Sequence, residues 1–297
     1  MDGGIGLGAE PVASARMGGG VPVHLIGVVH LYRQREMDIV ALRGVDLDVD
    51  AGEMVALLGP SGMGKSTVMR LMAGLIRASA GVVRVGDQDL GRLSPAARRA
   101  LRASEISYIV QGTDPNLLPF ATAIQNVWFA QQGARGRGRT PHYDPGELLD
   151  ILGLGEIGDA RVSELPRGLQ QQVALAAGVA PSPRLILADE PTSELSEDAS
   201  TAVIDLLEQI NRELGTTVVL VTHDPAVAGH FPRTITIRDG RVGAEGHRGE
   251  EYAVVDGSGS IQLPPDVLEL LPPNTRVRVV RGPNGVELHK RDPENDD

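Results

Sequence analysis

Apolar positions in this chain fall into short runs of two kinds, and the spacing separates them. Val45, Leu47 and Val49 alternate with Asp46 and Asp48, the period-two pattern of a strand with one buried face. Met54-Val55-Ala56-Leu57-Leu58, Leu185-Ile186-Leu187-Ala188 and Thr217–Val221 are instead continuous, as parallel strands covered on both faces should be. Val68, Leu71, Met72 and Leu75 repeat at helical spacing, as do Val203, Leu206, Leu207, Ile210 and Leu214. The second of these helices lies between two continuous runs and supplies the crossover of a parallel sheet. Val82 to Leu90 predicts a hairpin about Gly86-Asp87. Ser94-Pro95 opens a helix, with serine as N-cap and proline in the first turn. Ile106–Val110 predicts a strand ending at Gln111. From Gly112 to about Ala180 strand signals vanish and helical ones dominate, around a Gly/Arg-rich loop at Gly133–Arg139. Thr234–Arg238, Asp239-Gly240 and Arg241-Val242 predict a closing antiparallel hairpin.

The organisation that follows is a leader over residues 1–20 that reads as disordered, a large α/β domain over 21–246 with a helical subdomain at about 112–180, a small β module over 247–290, and an acidic, disordered tail over 291–297. Composition narrows the chemistry. With 297 residues, 41% of them hydrophobic and only 3% aromatic, the core must be built from Leu, Val, Ile and Ala. The absence of cysteine excludes disulfides and thiolate chemistry. A formal charge of −11 argues against nucleic acid as a partner. No apolar run approaches the ~20 residues of a membrane span.

The chemistry is concentrated in Gly59-Pro60-Ser61-Gly62-Met63-Gly64-Lys65-Ser66-Thr67, between a predicted strand and a predicted helix. This is the setting of a phosphate-binding P-loop. Glycines allow backbone N–H groups to wrap anionic oxygens, and the helix N-terminus adds partial positive charge. Lys65 would reach the β- and γ-phosphates and Ser66 would ligand Mg²⁺, so the chain is expected to bind a nucleoside triphosphate. Leu185–Ala188 ends in Asp189-Glu190: Asp189 can enter the Mg²⁺ shell and Glu190 can activate water. Gln111 and His223 each follow a strand, at the same carboxyl edge.

The order Gly59–Ser66, Gln111, Leu165–Gln172, Asp189-Glu190 and Thr222-His223 resembles an ABC-transporter ATPase subunit over about Val21 to Val242. Ala41-Leu-Arg-Gly-Val-Asp-Leu, Asn116-Leu-Leu-Pro119 and Asn211-Arg-Glu-Leu-Gly-Thr-Thr are most similar to the lipoprotein-release and macrolide-export type. The resemblance implies a P-loop NTPase core with an antiparallel β subdomain and an inserted helical subdomain. It implies ATP and Mg²⁺ as cofactors, Tyr32 against adenine, Gly59 through Thr67 around the phosphates, Ser66, Gln111 and Asp189 on the metal, and Glu190, His223 and Gln111 in hydrolysis. It further implies a head-to-tail dimer, with itself or with a second ATPase subunit, on the inner face of the cell membrane through a permease that meets Pro115–Asn126.

One stretch departs from that pattern. The family's Leu-Ser-Gly-Gly-Gln signature falls on Leu165-Pro166-Arg167-Gly168-Leu169, so only Gly168 keeps the glycine expected to reach the partner's nucleotide in trans. Pro166 removes a hydroxyl and a backbone donor. Ser193-Glu194-Leu195-Ser196 ends in serine where the family has aspartate. Two expectations arise: an asymmetric pairing with a subunit bearing an unaltered signature, or a slow or non-hydrolysing nucleotide-dependent switch controlling a cell-envelope partner. A third is that Arg167 itself supplies a cation in trans. The last residues, Tyr252–Pro264, Asp266–Leu271 and Arg276–Val280, look like an AbrB/SpoVT-type swapped hairpin, implying dimerisation, although ten acidic against five basic residues from Glu250 onward argue against DNA.

Overall fold

The computed structural model describes residues 19–33, 37–136, 140–247, 250–257, 259–283 and 285–290. The expected leader, apart from its last two residues, and the whole acidic tail lie outside them. Strands β1 (Val23–Arg33) and β2 (Asp38–Val49) lead to β3 (Met54–Leu58), whose end turns into helix α1 (Lys65–Met72). There follow β4 (Ala80–Val85), β5 (Gln88–Asp89), α2 (Pro95–Ser104) and β6 (Ile106–Ile109). A helical stretch holds α3 (Ala123–Arg135), α4 (Pro145–Ile151) and α5 (Arg167–Val179). Then β7 (Leu185–Asp189), α6 (Glu197–Leu214), β8 (Thr217–Thr222), α7 (Pro225–Gly229), β9 (Arg233–Arg238), β10 (Arg241–His247) and β11 (Glu250–Ala253) complete the large unit. Helix α8 (Pro265–Leu270) and the hairpin β12 (Val277–Gly282)–β13 (Gly285–Lys290) come last.

Two sheets are stacked. The smaller, β2-β1-β4-β5, is antiparallel; the larger has the order β11-β10-β9-β3-β8-β7-β6, parallel from β9 through β6. Strictly alternating side chains divide each central strand between two cores. Met54 and Ala56, Ile186, and Val218 and Leu220 face the helices, with Val173, Leu175, Leu207 and Ile210. Val55 and Leu57, Leu185 and Leu187, and Val219 and Val221 face the small sheet and α1, with Leu25, Leu47, Val68 and Met72. Two-sided burial explains why these runs read as continuous rather than alternating.

The register lines up the strand ends. Leu58 pairs with Thr222 and Thr236, Asp189 with Val221, and Ile109 with Ala188. The loops after β3, β6, β7 and β8 therefore open on one carboxyl edge, where ligands bind in parallel sheets.

Two local expectations need correction. The Gly/Arg-rich loop begins later than Gly133, because α3 continues through Arg135; residues 137–139 lie outside the described ones. The boundary at 246 falls inside a hairpin: β10 runs to His247 and β11 adds an outer strand to the main sheet, with Gly246 opposite Glu251. Beyond it Asp256 pairs with Arg241, and Gln262 donates to the Arg238 carbonyl at 3.3 Å, tying the chain to β9–β10.

Candidate functional site

The loop Gly59–Gly64 joins β3 to α1 and borders a cavity of about 850 Å³. Gly64 is the N-cap of α1 with φ 101°, and a Cβ there would lie 2.8 Å from the Ala41 carbonyl oxygen, so only glycine fits. The Lys65 ammonium folds back to donate to the Gly59 carbonyl and, at 2.9 Å, to that of Pro60. Burial lowers the pKa of Lys65, opposed by the nearby charges of Glu190 and Asp189.

Ser66 donates to Asp189 Oδ1 at 3.3 Å, joining the head of α1 to the end of β7. The other carboxylate oxygen, Oδ2, accepts from the Tyr108 hydroxyl at 3.0 Å. Burial, then the Asp189 charge, pushes the Tyr108 pKa up to about 12, so it stays a neutral donor. Glu190 takes a left-handed backbone, φ 51°, held by its N–H to the Val221 carbonyl at 3.0 Å. Its Oε2 lies 2.8 Å from His223 Nδ1. A glutamate at positive φ costs about 1–3 kcal/mol and is characteristic of working sites.

Tyr32, on β1, lines the cavity and its hydroxyl meets Thr67 Oγ1 at 3.1 Å. Thr67 is buried, so that hydroxyl is engaged beneath the loop. Gln111 also borders the cavity, but its amide nitrogen donates to Ser193 Oγ at 3.3 Å, linking the loop after β6 to the loop after β7. Gly59 and Pro60 are not among the residues bordering the cavity, whereas Ser61, Gly62, Met63, Gly64, Lys65, Ser66 and Thr67 are.

The altered signature lies apart, around a second hollow of about 460 Å³. Pro166 is the N-cap of α5 and makes no side-chain cap bond. Arg167, the first helical residue, pairs with Glu194 Oε2 at 2.9 Å. Gly168 packs on α6: a Cβ there would sit 2.8 Å from Ala199 Cβ. Ser196 occupies the N-cap of α6 as its position suggests, without a side-chain cap bond.

Several side-chain roles have no counterpart in the sequence pattern. Asn116 bonds the Val110 N–H and carbonyl, and Asn126 bonds the Leu118 N–H and carbonyl, shaping the stretch before α3. Phe120, Trp128 and Phe129 are exposed by 75%, 52% and 58%. The chain has only eight aromatic residues (three Phe, one Trp, four Tyr), so three within ten positions were a usable signal.

A family model described as ABC transporter matches residues 42–193. The lipoprotein-releasing system ATP-binding protein LolD of Anaeromyxobacter dehalogenans is 42% identical over 81% of this chain and 98% of its own length. The chain belongs to the ABC transporter family. The macrolide export ATP-binding/permease protein MacB of Syntrophobacter fumaroxidans is 39% identical over 75% of this ABC chain, which spans only 31% of that relative. An ATP-binding cassette solved as a dimer in a post-hydrolysis state with ADP and Pi superposes with a TM-score of 0.66 at 32% identity, covering 76% of this chain and 98% of that one. The cassette fold inferred from sequence is thereby borne out.

Proposed function

We propose that this chain is the ATP-binding and ATP-hydrolysing subunit of an ABC transporter of the LolD and MacB type, energising a separate membrane permease from the inner face of the cell membrane. The observation that carries the reading is the convergence of Lys65, Ser66, Asp189, Glu190 and His223 on one strand edge beside a glycine-formed phosphate loop. Ser66 Oγ and the Asp189 carboxylate are hard oxygen donors already in contact, a set that suits Mg²⁺ completed by phosphate oxygens and water. Such an ion would neutralise charge developing on the transferred phosphoryl group. Lys65 would exchange its loop carbonyls for phosphate oxygens. Glu190, with Oε2 held by His223, is positioned to take a proton from water, and Gln111 and Ser193 connect that edge to the signature side. Tyr32 is assigned to the adenine end.

The exposed aromatics Phe120, Trp128 and Phe129 support the permease assignment, because a surface this apolar suits a protein partner. The comparisons lend no support to a slow switch. The altered signature favours dimerisation with a second subunit that carries an unaltered one. ATP turnover by the chain alone, lost on Arg167→Ala, would instead make Arg167 the trans-acting cation.

The C-terminal module is read as an AbrB-like dimerisation appendage. An isolated two-stranded hairpin is marginal in water. Here Val279 faces Leu288 across β12–β13, and Val279, Val286 and Leu270 are exposed by 65%, 67% and 75%. Covering them against a second copy supplies the missing core.

The test is Mg²⁺-dependent ATP turnover of the purified chain with and without a candidate partner subunit. Glu190→Gln should reduce turnover by about 10²–10⁴-fold while ATP binding persists. Unchanged turnover in that variant removes Glu190 from the reaction; absence of ATP binding in the unaltered chain overturns the whole reading.

A further inference from the structure

Asp189 has two carboxylate oxygens, and the fold assigns them separate tasks. Oδ1 faces Ser66 at the head of α1, and Oδ2 accepts the Tyr108 hydroxyl at 3.0 Å from the neighbouring strand β6. Asp189 is 8% exposed, so water contributes little to fixing it. The register places Tyr108 opposite Leu187 and Ile109 opposite Ala188, which brings the phenol alongside the end of β7. The phenol therefore donates its proton to Asp189. Asp189 is thus held from two sides, by α1 through Ser66 and by β6 through Tyr108.

We propose that Tyr108 is a positioning residue for the metal site, holding Oδ2 of Asp189 so that Oδ1 is presented toward Ser66 and a nucleotide-bound divalent cation. The inference rests on the ATPase reading above and adds to it a residue with no contact of its own to nucleotide or metal. Without the hydroxyl, the carboxylate can rotate, and the oxygen aimed at the cation is no longer fixed. Partners that orient metal ligands from one shell out typically contribute about 10–100-fold in metal affinity.

Tyr108→Phe removes the hydroxyl and little else. The experiment is a Mn²⁺ titration, followed by electron paramagnetic resonance, of the full chain saturated with ADP. ADP affinity in EDTA and the thermal midpoint are measured alongside. The expected result is Mn²⁺ affinity about ten-fold weaker in Tyr108→Phe, with EDTA-state ADP affinity within two-fold of the unaltered chain. The Mg²⁺ concentration for half-maximal turnover should rise by a similar factor. Mn²⁺ affinity within two-fold of the unaltered chain overturns the proposal. Equal losses of Mn²⁺ affinity and of metal-free ADP affinity also overturn it, because they would mark a packing role. An unaltered chain that binds ADP without any Mn²⁺ site would instead overturn the metal assignment of Ser66 and Asp189, a separate failure.

Discussion

Glu190 and His223 form a pair whose members differ in burial: the glutamate side chain is 12% exposed and the histidine 56%. The difference separates stability from activity at the scale of single residues. Removing a largely exposed imidazole changes folding free energy by about 0.5 kcal/mol or less. Removing the group that fixes a general base costs about 10²-fold in rate. His223→Ala should therefore melt within about 2 °C of the unaltered chain, while steady-state turnover falls about a hundred-fold; parallel losses of both would point to a structural histidine. Lys65, Ser66, Asp189, Glu190 and His223 were readable from sequence because each lies within a few residues of a strand end in a local pattern. The contact of Tyr108 was not, nor were the backbone bonds of Asn116 and Asn126, which the sequence marks only as parts of a family-like stretch. Tyr108 acquires its meaning 81 residues later in the chain, through Asp189, and nothing local distinguishes it from an ordinary strand tyrosine. Asn116 and Asn126 bond the backbone around a loop whose shape no periodicity encodes.

Among elements, α5 and α6 are in tight contact where Gly168 faces Ala199. The Ala199 Cβ is anchored directly to its helix backbone, so the contact has no flexible end to yield. Gly168→Ala should force the helices apart and cost about 1–3 kcal/mol by overpacking, against a gain of about 1 kcal/mol from helix propensity. The expected net outcome is a lower thermal midpoint, measured by calorimetry; a higher midpoint would mean that the interface has slack. The persistence of glycine in an otherwise altered signature thus has a packing reason besides any trans contact. Strands β3, β7 and β8 were legible as continuous apolar runs, and α2 from its Ser94 cap, which accepts the Ala97 N–H at 3.1 Å. The Gly/Arg-rich loop expected from Gly133 starts later because one glycine does not end α3. Here Ala134 is buried, and the helix continues through Arg135. Tertiary packing outweighs the local cost of one glycine.

Over the whole molecule, the main sheet does not stop at the expected domain boundary. Strand β11 pairs with β10, and the segment through Gln262 lies against β9–β10, whose Asp239-Gly240 turn borders the cavity beside Gly64 and Lys65. Truncation at 246 would strip an outer strand, so a cleaner division lies after Leu263. A chain ending there should keep nucleotide affinity and thermal midpoint while losing nucleotide-independent self-association, measured by sedimentation; unchanged association would overturn the dimerisation reading of α8 and β12–β13. The composition shift near 246 was visible in sequence, but edge pairing was not, because hydrogen-bonded strands leave no mark on side-chain pattern when the added strand is short and polar. The alternation that splits β3, β7 and β8 between two cores has a further consequence. Neither core can open without exposing half of every central strand, so amide protons in all three should exchange with solvent through one shared opening event rather than strand by strand. The strand edge that ends in Asp189 should thereby share the slowest opening in the protein, leaving the loops beyond it to move against a steadier floor.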